Sequence, residues 1–256
     1  SYGIANKTGQ PNQTTAEEII QTAWNNGILE FDTAQGYGES EEVLGKAFAN
    51  LNISKEVLVI SKLDPDIDHL DKHAMSEALN SSLKRLGVPK LYGLMLHREN
   101  FLSLWEQGLA EHLCSFVESG KVEYIGVSVY SPQKAIQALN MEGIDFIQLP
   151  SNILDRRFEQ GDVFRLAQEK KKLIYVRSTF LQGLILMNPE EVPEKMTYVL
   201  PILEQIEKLS KEIGLNRQEI ALGYVKMGIP GVKIVFGAET REQVRQNVHY
   251  WSKSYP

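Results

Sequence analysis

The 256-residue sequence predicts an α/β fold, a (β/α)8 TIM barrel forming a single domain over residues 1–256. Three observations predict it. Short apolar β-rich runs alternate with amphipathic helical stretches from one end to the other, the pattern of a parallel sheet with helical crossovers. The length is one that such barrels fill as one domain. No residue-level repeat, low-complexity tract or linker divides the chain.

Taken in order, a first helix is expected near Thr15 to Asn26, where Thr14 and Thr15 stand three residues before Glu17 and Glu18 as capping boxes. A strand, Ile28 to Asp32, follows, and Val57 to Lys62 is the next. Leu79, Leu83 and Leu86 repeat at helical spacing as core residues, with Gly87 and Pro89 as a stop signal. Strands are then expected at Leu91 to His97 and Tyr124 to Val129. Ser131 caps a helix with Pro132 at its first position, where the missing N–H would be orphaned anyway. Phe146 to Leu149, Leu173 to Ser178 and Val232 to Phe236 complete seven strands. Asn216 with Glu219, and Thr240 with Gln243, mark two late helix starts. Gln182 to Thr197, with Pro189 and Pro193, reads as a long exposed loop. A closed barrel needs eight strands and the first helix has none ahead of it, so a further N-terminal strand of about ten residues is expected before Ser1, with an open sheet as the alternative if there is none.

The composition, 43% hydrophobic and 23% charged, is that of an ordinary globular chain. A net charge of -6 gives no general attraction for nucleic acid or an anionic membrane. No apolar run approaches the roughly 18 residues of a membrane helix. The start, Ser1-Tyr2-Gly3-Ile4, lacks the charged and apolar regions of a signal peptide. A cytoplasmic location and a small-molecule partner are expected, with no nucleic acid and no membrane; the oligomeric state is unspecified. The lone cysteine, Cys114, forms no intrachain disulfide and is expected to be a small buried helix residue. Among five histidines only His97 ends a strand, so a metal-dependent hydrolase, which needs several inward ligands, is disfavoured and no metal is expected.

Asp32, Lys62 and His97 stand at the C-terminal ends of three successive strands, and Tyr37 lies in the first of the following loops. In a parallel barrel those ends open onto one face, where active sites are built. A phenol titrates near 10, so proton transfer at neutral pH benefits from a nearby cation such as Lys62. An ammonium in a barrel mouth needs a counter-charge, which Asp32 supplies. Histidine can hydrogen-bond an incoming carbonyl oxygen and orient it towards the tyrosine. Gly36-Tyr37-Gly38 matches the first half of a dinucleotide fingerprint, but Glu41 occupies the third glycine position, so that motif is absent. Gly237 to Gln243 combines a strand end, a small-residue turn and a capped helix start, which suits a phosphate.

On these residues the sequence resembles the aldo-keto reductase family. The run Asp32-Thr33-Ala34-Gln35-Gly36-Tyr37-Gly38-Glu39-Ser40-Glu41, followed by Leu44-Gly45, resembles its first signature. Ile60-Ser61-Lys62-Leu63, Leu94-Met95-Leu96-His97, Gly126-Val127-Ser128, Gln148, Leu154-Asp155-Arg156-Arg157 and Val235-Phe236-Gly237-Ala238 follow in the family's order. The resemblance implies a (β/α)8 barrel that binds a nicotinamide cofactor in extended form and moves hydride between it and a carbonyl or alcohol. It implies Tyr37 as general acid, Lys62 and Asp32 as its tuning pair and His97 as the carbonyl-orienting group. Ser128 and Gln148 would hold the carboxamide. Ser178, Leu181 and Gly183 would follow the pyrophosphate, and Gly237, Ala238, Thr240, Gln243 and Asn247 the adenosine phosphate end.

Three positions depart from the family's pattern. Val129 follows Ser128 where many members have an asparagine. Arg177 stands where an aromatic residue stacks on the nicotinamide ring; a guanidinium can also stack, or meet an anionic substrate or phosphate. Glu239 lies in the final turn, where it would repel a 2′-phosphate, although Arg241 and Arg245 are close enough in sequence to offset it. The resemblance favours NADP(H), with NAD(H) as the alternative. Arg98, Glu99, Asn100, Tyr130 and Phe180 could line a polar pocket for a sugar or hydroxylated aldehyde. A competing reading, motivated by Val129 and Arg177, is a nicotinamide-nucleotide sensor or interaction protein with slow turnover.

Overall fold

The computed structural model describes residues 9–255; Ser1-Tyr2-Gly3-Ile4 and any strand before it lie outside them. A helix, α1 (Gln13–Asn25), precedes β1 (Glu30–Asp32). The chain then alternates through α2 (Ser40–Asn50), β2 (Leu58–Lys62), α3 (Lys72–Leu86), β3 (Leu91–Leu96), α4 (Leu109–Glu118), β4 (Val122–Ser128), α5 (Pro132–Asn140) and β5 (Phe146–Pro150). Two short helices, α6 (Arg157–Gln160) and α7 (Val163–Glu169), lead to β6 (Leu173–Arg177). After α8 (Leu200–Ile213) and α9 (Arg217–Gly228), β7 (Lys233–Ile234) and α10 (Arg241–Ser252) end the fold. The sheet has seven strands in sequential order, each pair parallel, curled as an incomplete (β/α)8 barrel.

All seven predicted strands are present; the apolar runs of the inner ones are largely buried on both faces, as parallel strands under helices require, while the outer β1 and β7 are only half-buried. The larger core lies between sheet and helices, around Phe48, Leu79, Leu94, Ile147 and Phe158. Inside the curl, Ile60, Met95, Phe146 and Tyr175 form a second cluster. Phe146 fits there only because Gly126 and Gly93 have no side chains: an added Cβ would lie 2.4 and 2.8 Å from its ring. Among the described strands β1 pairs only with β2 and β7 only with β6. Glu30 of β1 nevertheless reaches across, accepting from the Tyr175 hydroxyl at 2.5 Å and pairing with Lys233.

Helix starts follow their local chemistry. Asn216 and Glu219 form the expected capping box, Ser131 and Thr240 accept from the N3 backbone, and Gly87 ends α3 in the left-handed region at φ 64°. Three expectations need correction. Asn12, not Thr14 or Thr15, caps α1, its side chain accepting from Thr15 N, because the helix starts earlier, at Gln13. Cys114 is exposed, since it falls on the outer side of α4 while Leu113 and Phe116 take the buried face. The predicted loop Gln182 to Thr197 is folded into 3₁₀ turns at Leu181–Leu186, Pro189–Glu191 and Glu194–Val199. Leu184, Ile185, Met187 and Val199 there are buried, and apolar packing against α8 and α9 overrides the loop-forming prolines.

Candidate active site

The β1 and β2 ends meet directly. Lys62 is 1% exposed, and its ammonium donates to the Asp32 carboxylate at 2.8 and 2.6 Å and to the Thr33 carbonyl at 2.8 Å. Gln148, midway along β5, donates to the same Asp32 carboxylate at 2.9 Å. The chain beyond Asp32 continues to pair with β2 through Thr33 N to the Ile60 carbonyl and Gln35 N to the Lys62 carbonyl, then turns at Ala34 to Tyr37. This turn carries Tyr37 over the pair, with the Lys62 ammonium 5.3 Å from its ring centroid. His97, one residue past β3, meets the Tyr37 ring edge-on at 5.6 Å. The four strand-end and loop residues thus converge at one mouth.

Side chains not singled out from the sequence hold that loop. Gln35 donates to the Ala78 carbonyl and Ser82 of α3 and accepts from Asp64 N, while Thr33 donates to Ser40. Glu41, its side chain 2% exposed, accepts from Ser61 at 2.6 Å and from Arg85 at 2.8 and 2.5 Å. These bonds tie α2 and α3 to the residue beside Lys62. The only sequence sign was the presence of Gln35 and Glu41 in the signature itself.

The electrostatics follow from enclosure. Burial, then the Asp32 carboxylate and Tyr130, push the Tyr37 phenol above its ordinary value, and Arg177 pulls it down. Lys62 is lowered chiefly by burial, with Asp32 opposing. His97 is lowered by burial and by the cations Lys62 and Arg98, so its ring is neutral at pH 7. A protonated phenol and a neutral imidazole stand beside a fixed ion pair, an arrangement able to donate a proton to an oxygen whose negative charge is building.

From this mouth a cavity of about 1400 Å³ runs past the ends of β4, β5 and β6 to the turn before α10. Ser128, Gln148, Arg177, Ser178, Gly183, Gly237, Ala238, Gln243 and Asn247 line it. Leu181 and Thr240 are not among the lining residues: Leu181 packs beside Leu184 and Met187, and Thr240 caps α10. Asn247 is buried and accepts from Gln218 at 2.7 Å. Tyr130 and Phe180 line the cavity, whereas Arg98, Glu99 and Asn100 do not. Glu99 is instead taken up by Tyr130 N and by the backbone N–H and hydroxyl of Ser131. Of five buried polar atoms without a partner among the described residues, three belong to cavity residues: His97 Nδ1, Arg177 Nη2 and Thr179 Oγ1. Buried polar atoms are normally satisfied, so these three fit a polar ligand beside Tyr37; the volume of the cavity also takes in the open gap between β1 and β7, lined by Ile20, Ala23, Leu29, Ile234 and Trp251. No group of three or more possible metal ligands occurs among the described residues, and no helix there is long and apolar enough to cross a membrane.

The family model described as the aldo/keto reductase family matches residues 1–256. An NADH-specific methylglyoxal reductase of Escherichia coli (strain K12) is 26% identical over 266 residues, covering 90% of this chain and 81% of that protein. An aldo-keto reductase from Bacillus halodurans in its apo form has a TM-score of 0.78 at 25% identity, with 96% of this chain and 83% of that chain covered. An aldo-keto reductase from Klebsiella pneumoniae, solved in complex with NADPH, shares the fold with a TM-score of 0.76 at 23% identity, covering 95% and 81%. The chain belongs to the aldo/keto reductase family, a family of NAD(P)H-dependent oxidoreductases.

Proposed function

We propose that this chain, as one domain acting on a small molecule in the cytoplasm, moves hydride between NADPH and the carbonyl of an aldehyde, ketone or sugar-like substrate. The observation that carries the reading is the Lys62 ammonium, buried and held by Asp32 and Thr33 while lying 5.3 Å from the Tyr37 ring. When bound, NADPH supplies the hydride. Tyr37 donates its hydroxyl proton to the carbonyl oxygen, a role favoured by a phenol that stays protonated at neutral pH. The Asp32–Lys62 pair fixes the charge behind it, and His97, neutral, hydrogen-bonds the same oxygen. Ser128 and Gln148 hold the carboxamide, Ser178 and Gly183 follow the pyrophosphate, and Gly237, Ala238, Gln243 and Asn247 enclose the adenosine phosphate end. Leu181 and Thr240 act one layer back, through packing and through the α10 cap.

The choice of NADP(H) over NAD(H) rests on the family resemblance; Glu239 lines the cavity and opposes it, while Arg241 and Arg245, at the start of α10, are the cations near enough in sequence to offset it. Arg245 lies 3.6 Å from Glu242, and Arg241 is exposed. Dissociation constants for NADPH and NADH in matched salt test it, and a clear preference for NADH would overturn it.

The function itself is tested by NADPH fluorescence titration together with NADPH oxidation across a panel of aldehydes, ketones and sugars. Turnover of at least one carbonyl is expected, with Tyr37→Phe slowing it about 10²–10⁴-fold; near-native turnover by that variant would sink the acid role. Val129, fully buried beside Ser128 where it offers no amide, favours a second reading, a nucleotide sensor with slow turnover. Tight NADPH binding with no turnover of any substrate would select it.

A further inference from the structure

Three side chains with permanent positive charge line the cavity: Lys62, Lys233 and Arg177. The first two are committed, Lys62 to Asp32 and Lys233 to Glu30. Arg177 forms no ion pair with any described residue. Its guanidinium lies over the Tyr130 ring at 4.5 Å, Nη1 makes a long 3.4 Å contact to the Ser178 hydroxyl, and Nη2 is buried with no partner. The residue as a whole is half-buried, but an enclosed guanidinium nitrogen without an acceptor is costly, and the planar fork is shaped for two oxygens of a carboxylate or phosphate. The aromatic ring beneath it holds the fork in place before any ligand arrives.

The position indicates which ligand brings the anion. Arg177 ends β6 on the same rim of the parallel sheet as Asp32 and Lys62, and its guanidinium lies over Tyr130, which lines the cavity with Tyr37, so it belongs to the proton-donating end. In a nicotinamide dinucleotide a ribose separates the phosphates from the hydride-donating ring, so a pyrophosphate along Ser178 would meet only the Nη1 side of the guanidinium, while its place over the Tyr130 ring sets the fork towards the carbonyl. We propose that Arg177 is a specificity-determining residue, which receives a carboxylate or phosphate group borne by the carbonyl substrate itself. This rests on the reductase reading above and names the substrate class: anionic aldehydes or ketones.

Two matched pairs separate the charge from the carbonyl: succinic semialdehyde against butyraldehyde, and glycolaldehyde phosphate against glycolaldehyde. In the wild-type chain kcat/KM should favour the charged member of at least one pair, and the pair that responds distinguishes carboxylate from phosphate. Arg177→Gln should reduce that ratio by about 10–100-fold, chiefly through KM, as expected for losing a charge-assisted hydrogen bond. Arg177→Lys, which retains charge without the fork, should restore part of it. Ratios near one in the wild type, or ratios unchanged in Arg177→Gln while NADPH affinity falls, would overturn the proposal and place the guanidinium against the cofactor. Binding of succinate and inorganic phosphate by calorimetry needs no turnover. Binding by the wild type that is lost in Arg177→Gln supports the anion site even if no carbonyl is reduced; no binding of either ion, with no charged substrate preferred, overturns it.

Discussion

Lys62 and Asp32 form a two-point ion pair at 2.8 and 2.6 Å whose two members are unequally enclosed, the lysine side chain 1% exposed and the aspartate 15%. Removing either partner therefore has different costs. Asp32→Asn leaves a fully enclosed ammonium with only the Thr33 carbonyl and an amide, whereas Lys62→Met leaves a carboxylate that still opens on the cavity and keeps Gln148. Breaking a buried pair costs about 3–5 kcal/mol. Asp32→Asn should fall in that range in urea denaturation, and Lys62→Met should cost less. Equal losses would show that the asymmetry of enclosure has no energetic weight.

Glu41 and Arg85 make the second enclosed pair, joining α2 to α3 next to Ser61. Arg85→Met strands a carboxylate whose side chain is 2% exposed, so a loss of about 3 kcal/mol is expected, the low end for a buried pair because the arginine itself is 35% exposed. Glu41→Gln leaves a neutral amide able to keep the Ser61 contact and should cost less. Chemical denaturation of both variants checks the order, and a larger loss for Glu41→Gln would refute it.

How far the sequence announces this site differs from residue to residue. Asp32, Lys62 and His97 are legible because a parallel barrel sends every strand end to one face, so position along the strand fixes position in space. Glu41 is not, because its partner Arg85 lies 44 residues away and the choice among lysines and arginines is made by helix packing. The same reason hides Gln35, whose bonds run to α3, and the bond from Gln148 to Asp32, which crosses the inside of the curl. Turn chemistry misleads at Gln182 to Thr197, where two prolines suggest an open loop while apolar residues bury it in short helical turns. Cys114 is a similar miss: residue type suggests burial, but its place on the helix faces it outward.

The pH dependence of carbonyl reduction should report Tyr37. Its phenol is raised above the ordinary value of about 10 by burial and Asp32, so the proton-donating form persists through neutral and mildly alkaline pH. Reduction should hold a plateau there and fall only as pH rises through the raised value. Arg177 is the group that lowers this phenol, so Arg177→Gln should move the break further alkaline. A break below pH 9, or a shift towards acid in the variant, would contradict the assignment.

Stability, unlike reduction, should respond to acid through a histidine outside the site. His69 is 1% exposed, stacks on Phe101 with centroids 3.8 Å apart and uses Nδ1 on the Ile67 carbonyl at 2.9 Å, while Nε2 is buried without a partner. Burial lowers its pKa; the Ile67 bond, Asp68 and Asp64 oppose without outweighing it. The unfolded chain binds this proton near its ordinary value of about 6.5, and the folded chain only at lower pH. Below about 6.5 the unfolded state therefore holds more protons, and linkage makes stability fall with pH until the folded ring also titrates. His97, lowered in the same direction, adds to the slope. His69→Phe keeps a ring against Phe101 and removes the titration, so its Tm should vary less between pH 7.5 and 5 than that of the parent chain. Carboxylates held low by arginines, such as Asp155, act in a separate window, below their unfolded values near 4. A parent and a variant with parallel Tm profiles down to pH 5 would assign the loss to groups other than His69.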